Sequence, residues 1–439
     1  MQKVVKFITL GCKVNQYETN AMAQKFLEKG YKVIEEEKEQ NEEKPDICII
    51  NTCTVTNMSD RKSRQMIRRA KENNPNAVVI AVGCYVQVAK KEIENIEEID
   101  LALGNEEKVN IVEYCNKILK EKMPESEEFL TDVLHTKKFA EFGETSYTEK
   151  TRAVIKVQDG CDRFCSYCII PYARGRVRSR EPEHILKEIK KIADQGIKEV
   201  VITGIHIASY GKDFKNKYGL IDLLEEINKI DGIQRIRLGS IEPLLITDDF
   251  VQRLSKLEKI CEQFHLSLQS GCDETLKRMN RRYTIEQFIE IVHCLRKTYP
   301  DVNLTTDIIV GFPGETQEEF NKTYEFLEQI KFYKMHIFKY SQRKGTKAAQ
   351  MPDQISPEVK EERSKKLINL SDKNECEYNK KYLGKQVEVL WEEEKNGVYK
   401  GHTKNYVLVE KHMDLDKNIE NTIGKVRIVD AKEHYIIAE

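Results

Sequence analysis

The sequence predicts an α/β protein built in three parts. Residues 1–120 read as a flavodoxin-like parallel-sheet domain, 147–372 as an open partial (βα)6 barrel and 373–439 as a small five-stranded β-barrel, with 121–146 as a linker. Three observations carry this reading. Over the first part apolar runs alternate with helix-like stretches, which places a parallel sheet between layers of helix. In the second part six strand-like runs follow one another, each but the last succeeded by a helical pattern, too few for a closed eight-fold barrel. The last part breaks into short strands with polar turns, the pattern of a barrel of the oligonucleotide-binding kind.

Composition narrows the class further. The chain has 439 residues, 40% hydrophobic and 33% charged, enough for two or three domains with real cores. A formal net charge of −1 gives no global case for nucleic acid, so any such case rests on local patches. The strand-like run Val4–Leu10 starts almost at once, and no apolar run approaches a membrane span, so a soluble, cytoplasmic chain is expected. Twelve cysteines in so charged a chain point to metal or redox use in a reducing compartment, not to a disulfide framework.

In the first part, Val4–Leu10, Ile47–Ile50 and Ala77–Val82 are the expected strands, and Asn15–Lys29, Asp60–Asn73 and Lys90–Ile96 the expected helices. Cys12, Cys53 and Cys84 each fall between a strand and a helix. In an open parallel sheet those positions lie at the carboxyl edge, where ligands bind, so three distant thiols converge on one edge. Three thiols so placed suit an iron–sulfur cluster, against the plainer reading of three packed cysteines. Cys48, inside a strand, and Cys115, on the Val109–Leu119 helix, are expected in the core. Arg61, Arg64, Arg68 and Lys71 share one helical face, which is either a solvated surface or an RNA-phosphate contact beside Cys53. The acid-rich stretches 121–128 and 141–149 read as the connection between domains.

The second part opens with the strand Ala153–Val157 and then the loop Cys161-Asp162-Arg163-Phe164-Cys165-Ser166-Tyr167-Cys168. A structural zinc site wants four ligands, and this loop offers three thiols with no fourth Cys or His nearby. Three thiolates and a vacant position suit an iron–sulfur cluster with one open iron. The remaining strands are Glu199–Thr203, Arg235–Gly239, Phe264–Gln269, Leu304–Val310 and Met335–Tyr340. Their carboxyl ends supply candidate cofactor contacts: Gly204, Ser240, Gln269, Asp307 and Tyr340, each of which is equally ordinary turn chemistry. His206 is expected in a hydrogen-bonding role, and Cys261, Cys272 and Cys294 as structural. Two basic clusters, Arg174/Arg176/Arg178/Arg180 and Lys277–Arg282, are expected to project from this face towards an anionic substrate, with a solvated charge run as the alternative.

A charged helix from Pro357 to about Tyr382 leads into strands Gln386–Trp391, Val398–His402, Tyr406–Val409, Gly424–Ile428 and Tyr435–Ala438. Tyr399, His402, Lys404, Asn405 and Tyr406 mix basic and aromatic groups, as a base-stacking surface does; a plain capping domain is the alternative.

The spacing of the loop at 161–168 resembles the signature of radical S-adenosylmethionine enzymes. Together with Gly11-Cys12-Lys13-Val14-Asn15-Gln16-Tyr17-Glu18, Asn51-Thr52-Cys53, Gly83-Cys84 and Gly311-Phe312-Pro313-Gly314-Glu315, the whole chain resembles the methylthiotransferases of that group. The first two of these motifs look like the branch acting on N6-threonylcarbamoyladenosine at position 37 of tRNA. The isopentenyladenosine branch typically reads Gly-Cys-Gln-Met-Asn there, and the ribosomal-protein branch also differs.

The resemblance implies an N-terminal methylthiotransferase domain, a radical S-adenosylmethionine core and a C-terminal TRAM domain. It implies a [4Fe–4S] cluster on Cys161, Cys165 and Cys168 that binds S-adenosylmethionine and yields a 5′-deoxyadenosyl radical. It implies also a second [4Fe–4S] cluster on Cys12, Cys53 and Cys84 that supplies or carries sulfur, and a second S-adenosylmethionine that gives the methyl group. The implied partners are the tRNA anticodon stem-loop and an electron donor such as flavodoxin or ferredoxin, with no membrane and a monomeric chain. RNA contacts are expected at Arg61, Arg64, Arg68, Arg174, Arg176, Arg178, Lys404 and Tyr406. The competing readings are the same chemistry on isopentenyladenosine or a ribosomal protein, and a non-catalytic, zinc-containing RNA-binding protein.

Overall fold

The computed structural model describes residues 2–35, 44–120, 130–143, 145, 151–412 and 418–439. In the first domain the elements are β1 (Val4–Thr9), α1 (Lys13–Glu28), β2 (Lys32–Glu35), β3 (Ile47–Thr52) and α2 (Asn57–Asn73), followed by β4 (Val78–Gly83), α3 (Cys84–Val88), α4 (Lys90–Ile93), β5 (Leu101–Leu103) and α5 (Ile111–Ile118). All five strands are parallel, in the order β2-β1-β3-β4-β5, the order of flavodoxin-like sheets. The β3 run Ile47–Thr52 is buried at every position because helices cover both sheet faces. Phe7, Tyr17, Phe26 and Ile49 fill one side, and Ile8, Ile50, Ile67 and Tyr85 the other.

Two helices depart from the sequence pattern. Helix α2 starts at Asn57, ahead of Asp60, because Thr56 caps it, its hydroxyl accepting from the Ser59 amide at 3.1 Å. The helix expected over Lys90–Ile96 is shorter, α4 over Lys90–Ile93, and a separate helix not expected from the sequence, α3, begins on Cys84 itself and ends before Ala89, which leaves the helical region.

The second domain contains β6 (Arg152–Asp159), α6 (Ile170–Arg174), β7 (Arg178–Ser179), α7 (Pro182–Asp194), β8 (Glu199–Gly204), α8 (Leu220–Asn228) and β9 (Arg235–Leu238). It continues with α9 (Asp248–Leu254), β10 (Gln263–Gln269), α10 (Asp273–Arg278), α11 (Ile285–Thr298), β11 (Asn303–Val310), α12 (Gln317–Ile330) and β12 (Lys334–Lys339). Strands β6-β8-β9 and β10-β11-β12 form two parallel sets, joined through the isolated bridges Ile236↔Ile260 and Ile241↔Leu266. The result is an open, six-stranded arc, with β7 pairing antiparallel on its β6 edge. Side chains alternate along β6: Ala153, Ile155 and Val157 enter the helix-covered core, whereas Arg152, Val154, Lys156 and Gln158 face the inner side.

Helix α13 (Pro357–Lys380) starts at the Ser356 cap and runs unbroken through the boundary expected at 372/373. Its Ser371 hydroxyl accepts from the Met335 amide at 2.9 Å, and its Asn379 amide donates to the carbonyls of Lys432 and Glu433, 3.1 Å each. One helix therefore serves both domains. Strands β13 (Gln386–Lys395), β14 (Val398–Thr403), β15 (Leu408–His412), β16 (Ile423–Ala431) and β17 (Ile436–Ala438) close into a barrel, β13-β14-β15-β17-β16, around Trp391, Val409 and Ile428. Of the expected linker, 121–129, 144 and 146 lie outside the described residues; within 130–143 Val133 and Phe142 are buried and anchor the stretch. Among the described residues no helix is long and apolar enough to cross a membrane.

Candidate active site

The loop after β6 carries Cys161, Cys165 and Cys168 and is held by backbone and side-chain contacts from elsewhere in the barrel. The Cys161 amide donates to the Gly175 carbonyl at 3.0 Å, the Ser166 amide to the Met279 carbonyl at 3.0 Å and the Ala348 amide to the Ser166 carbonyl at 2.8 Å. Asn280, in the left-handed region at φ +60°, donates from its side chain to the Phe164 carbonyl at 3.1 Å. Phe164 and Gln269 are left-handed too, at φ +47° and +73°. Non-glycine residues in that region cost about 1–2 kcal/mol each, and such strain gathers at functional sites. The Arg281 guanidinium lies 3.6 Å from Cys165 Sγ, anchored on the Ser267 carbonyl at 2.7 Å. Beside the loop, Glu242 receives both Arg163 and His206 Nε2 (3.1 Å), while Ser209 holds His206 Nδ1 at 2.8 Å.

Cys12, Cys53 and Cys84 stand at the carboxyl ends of β1, β3 and β4, three adjacent strands. Gly11 makes the approach possible: at φ +95°, a Cβ on it would lie 2.7 Å from Cys53 Sγ. Gly83 precedes Cys84 at φ +101°, against Asn51. Cys84 is close enough to raise the cost of ionising Cys12 and Cys53, and Cys12 does the same to Cys53. Burial, with those neighbours, pushes Cys53 up to about 11; in the other triad burial takes Cys161 to about 11 and Cys168 to about 12. Ligation at either triad therefore releases protons.

Between the triads lies a buried ionic network that joins the domains. Glu18 of α1 takes Lys108 at 2.7 Å, Lys156 of β6 at 2.7 Å and Arg174 of α6. Asp159 takes Lys156 at 2.5 Å and Arg174 at 3.3 Å. Arg174 Nε also donates to Cys84 Sγ at 3.1 Å, and Asn105 Nδ2 lies 3.7 Å from the same sulfur. Burial works against charge on Asp159, but Lys156, Arg174 and Arg178 outweigh it and hold its carboxyl at about 2.

This network corrects part of the expected RNA surface. Arg174 is 0% and Arg178 1% exposed; Arg178 pairs with Glu106 at 2.5 Å and donates to the Arg174 carbonyl at 2.8 Å. Both face the domain interface because its carboxylates need them there. Arg180 is likewise buried, on Glu188 and Glu141. Only Arg176 of that cluster is exposed, its guanidinium 4.8 Å over the Phe164 ring. In the other basic cluster Arg278 pairs with Glu319 at 2.6 Å, leaving Lys277 and Arg282 exposed.

Lys404 and Tyr406 are corrected in the same way. Their loop docks the small barrel on the larger one: Lys404 Nζ donates to the Glu258 carbonyl at 2.7 Å, and its own carbonyl accepts from Arg237 at 3.3 Å. The Tyr406 ring stacks on His402 at 4.3 Å and meets Arg237 at 4.5 Å, so partners within the chain already use its faces. Tyr399 is buried in the barrel core. On α2, Arg61, Arg64 and Arg68 line a groove of 400 Å³; Arg64 pairs with Glu92 at 3.1 Å and Arg68 with Glu98 at 3.6 Å.

The expected cofactor contacts are spread along the inner face. Gly204 ends β8 against Gln158, Ser240 is exposed after β9, and Gln269 is buried at the end of β10. Asp307 pairs with His265 Nε2 at 3.1 Å midway along β11. Tyr340 packs on Phe312 with its hydroxyl buried and unpartnered. A cavity of 760 Å³ opens beside Cys12 and Lys13, walled by Arg152 and Val201 of the larger barrel and by His402 and Tyr406 of the small one. All three domains meet there, and the volume falls in the range of small-molecule sites, roughly 300–1,000 Å³.

Both triads fit iron–sulfur clusters by donor chemistry: three thiols, with an arginine N–H aimed at a sulfur in each. Among the described residues the trio of candidate ligand atoms drawn within 4.8 Å is Asp372, Glu433 and His434.

Two families match the chain: the radical SAM superfamily over residues 155–327, and an uncharacterised protein family, UPF0004, over 4–104. The chain is 42% identical over 428 residues to the threonylcarbamoyladenosine tRNA methylthiotransferase MtaB of Bacillus subtilis, covering 96% of this chain and 92% of that protein. The MtaB of Aquifex aeolicus is 39% identical over 96% of this chain and 98% of its own length. The tRNA-2-methylthio-N(6)-dimethylallyladenosine synthase of Caldicellulosiruptor saccharolyticus is 35% identical over 100% of this chain and 92% of that protein. In fold, the chain is similar to the radical S-adenosylmethionine methyltransferase TsrM of Kitasatospora setae, with a TM-score of 0.57 at 17% identity over 77% of this chain and 72% of that one.

Proposed function

The chain belongs to the tRNA methylthiotransferases of the radical S-adenosylmethionine superfamily, in the threonylcarbamoyladenosine branch; from that premise we propose that it places a methylthio group on C2 of N6-threonylcarbamoyladenosine 37 in tRNA. The observation that carries the reading is the pair of cysteine triads, one in the barrel loop and one at the edge of the first sheet, linked across the domain interface by Arg174, with the second opening through Cys12 on a cavity shared by all three domains. Cys161, Cys165 and Cys168 would hold one [4Fe–4S] cluster, and Cys12, Cys53 and Cys84 a second. When bound, these groups and S-adenosylmethionine supply one-electron cleavage of the sulfonium and the sulfur and methyl that are transferred.

The protein's own share is position and exclusion of water. Gly204, Ser240, Gln269, Asp307 and Tyr340 are the proposed S-adenosylmethionine contacts along the barrel's inner face. The cavity beside Cys12 would receive the modified base, its wall carrying Lys13, Arg152 and Lys400 balanced by Glu392, Glu393 and Glu420. Arg61, Arg64, Arg68 and Arg176 stand at the surface where tRNA phosphates would lie. A flavodoxin or ferredoxin as electron donor, a monomeric state and a cytoplasmic location complete the proposal.

Methylthiolation of dimethylallyladenosine is the second reading, favoured by the 35% relative; the Lys13-Val14 pair and the higher identities support the first. Nucleoside mass spectrometry of tRNA from cells lacking the protein separates them. Loss of the 2-methylthio derivative of threonylcarbamoyladenosine is expected; loss of only the dimethylallyl derivative would reject the proposed substrate.

A further inference from the structure

We propose that Arg174, supplied by the barrel domain, is a positioning residue of the other domain's thiol site: it orients the loops bearing Cys12, Cys53 and Cys84 and raises the reduction potential of the cluster held there. The inference rests on reading that triad as a cluster site.

Arg174 ends α6, the short helix that follows Cys168 directly. Its side chain is fully buried and all its nitrogens are engaged. Nε donates to Cys84 Sγ at 3.1 Å; Nη1 reaches Glu18 and, at 3.3 Å, Asp159; Nη2 reaches Glu18 at 3.1 Å and Asn15 Oδ1 at 2.7 Å. Asn15 in turn donates to the Leu10 carbonyl at 2.7 Å and the Thr52 carbonyl at 2.9 Å. One guanidinium thus touches the ligand after β4 directly and steadies the loops after β1 and β3 through a single intermediary.

A plain counter-ion role for Glu18 does not account for this placement. Lys108 and Lys156 already sit 2.7 Å from its two oxygens, and the carboxylates Glu18 and Asp159 are matched in charge by those two lysines. Arg174 is the surplus cation, and its Nε points at sulfur. A buried cation donating to a ligand thiolate favours the more electron-rich state of a cluster, and so raises its potential. The same short helix runs from the ligands of one triad to the sulfur of the other, a link made within a single rigid segment.

The test is a potentiometric titration followed by electron paramagnetic resonance on reconstituted full-length protein: wild type, Arg174→Gln and Arg174→Lys. In Arg174→Gln the ratio of reduced to oxidised second cluster at a fixed potential should fall about tenfold, a shift of about 59 mV for one electron, with the radical cluster unmoved. Arg174→Lys should recover part of the shift. An unchanged midpoint in Arg174→Gln with iron retained overturns the proposal, as does an Arg174→Lys midpoint no nearer to wild type than that of Arg174→Gln. Loss of iron from the second site alone in both variants supports the positioning role, whereas global unfolding of both, read by circular dichroism, makes Arg174 a folding residue and overturns it. Failure of the underlying reading looks different: the Cys161→Ala/Cys165→Ala/Cys168→Ala protein, with Arg174 intact, would then hold no iron.

Discussion

The two cysteine triads solve the same problem by opposite routes. One lies in the single loop 161–168, and its contacts come largely from the 278–281 segment of its own domain. The other is gathered from the ends of β1, β3 and β4 and completed by a charged side chain from the next domain. The contrast separates two ways of failing. Damage to the local triad should remove its chemistry and leave the fold, whereas damage around the distributed triad should loosen an interface as well.

Cysteine substitutions probe that contrast most strongly. Cys161→Ala should reduce 5′-deoxyadenosine formation to background; Cys53→Ala should retain part of it while losing methylthiolated product. Both variants making product in a reconstituted assay would dissolve the two-site assignment. Next in size is Glu18→Gln, which leaves Lys156 and Arg174 with Asp159 and Lys108 without its carboxylate, and should cost about 3–5 kcal/mol in unfolding of the apoprotein. A change under 1 kcal/mol in chemical denaturation would mean that the interface does not depend on that carboxylate.

Gly11→Ala is milder for the fold, about 1–2 kcal/mol for the backbone angle, but its Cβ strikes Cys53. Iron analysis should find about half the wild-type content, with S-adenosylmethionine cleavage kept; full content would show that the loop yields. Replacing Arg61 and Arg68 by Ala should reach neither triad. We expect a several-fold rise in KM for tRNA and a salt slope shallower by about 1.4–1.8, with cleavage of S-adenosylmethionine unaltered. The smallest effect concerns pH. Asp159 is held below its unfolded value, so its stabilisation is complete above pH about 4 and is lost as pH falls through about 2. Apoprotein melting temperatures that fell between pH 8 and 6 because of this carboxylate, as shown by their absence in Asp159→Asn, would contradict that sign.

The same contrast explains what was legible in the sequence. Periodicity located the six arc strands and the three central strands of the first sheet, because each buries a continuous or alternating apolar run. Strands β2 and β5, short and at the sheet edges, carry little pattern. The loop at 161–168 was visible by spacing alone, and the distributed thiols by their place after strands. Charge misled: Arg174 and Arg178 look like solvent-facing residues, and only the partners Glu18, Glu106 and Asp159, far off in sequence, put them inside. A signal was present in β6, where Lys156 and Asp159 interrupt an apolar strand. Lys404 and Tyr406 misled for the same reason, since a loop rich in basic and aromatic groups suits another protein surface as well as a nucleic acid.

Helix α6 has a consequence for how such a chain can be recombined. Its start just after Cys168 and its end on Cys84 leave no slack for an inserted residue between the radical loop and Arg174. Exchange of the barrel for that of another radical enzyme would carry away the cation, Lys156 and Asp159 together, and the recipient sheet would keep its thiols while losing what orients them. Heritable change in this molecule is therefore constrained across the seam between domains: substitutions at 18, 108, 156, 159 and 174 are expected to travel as a set.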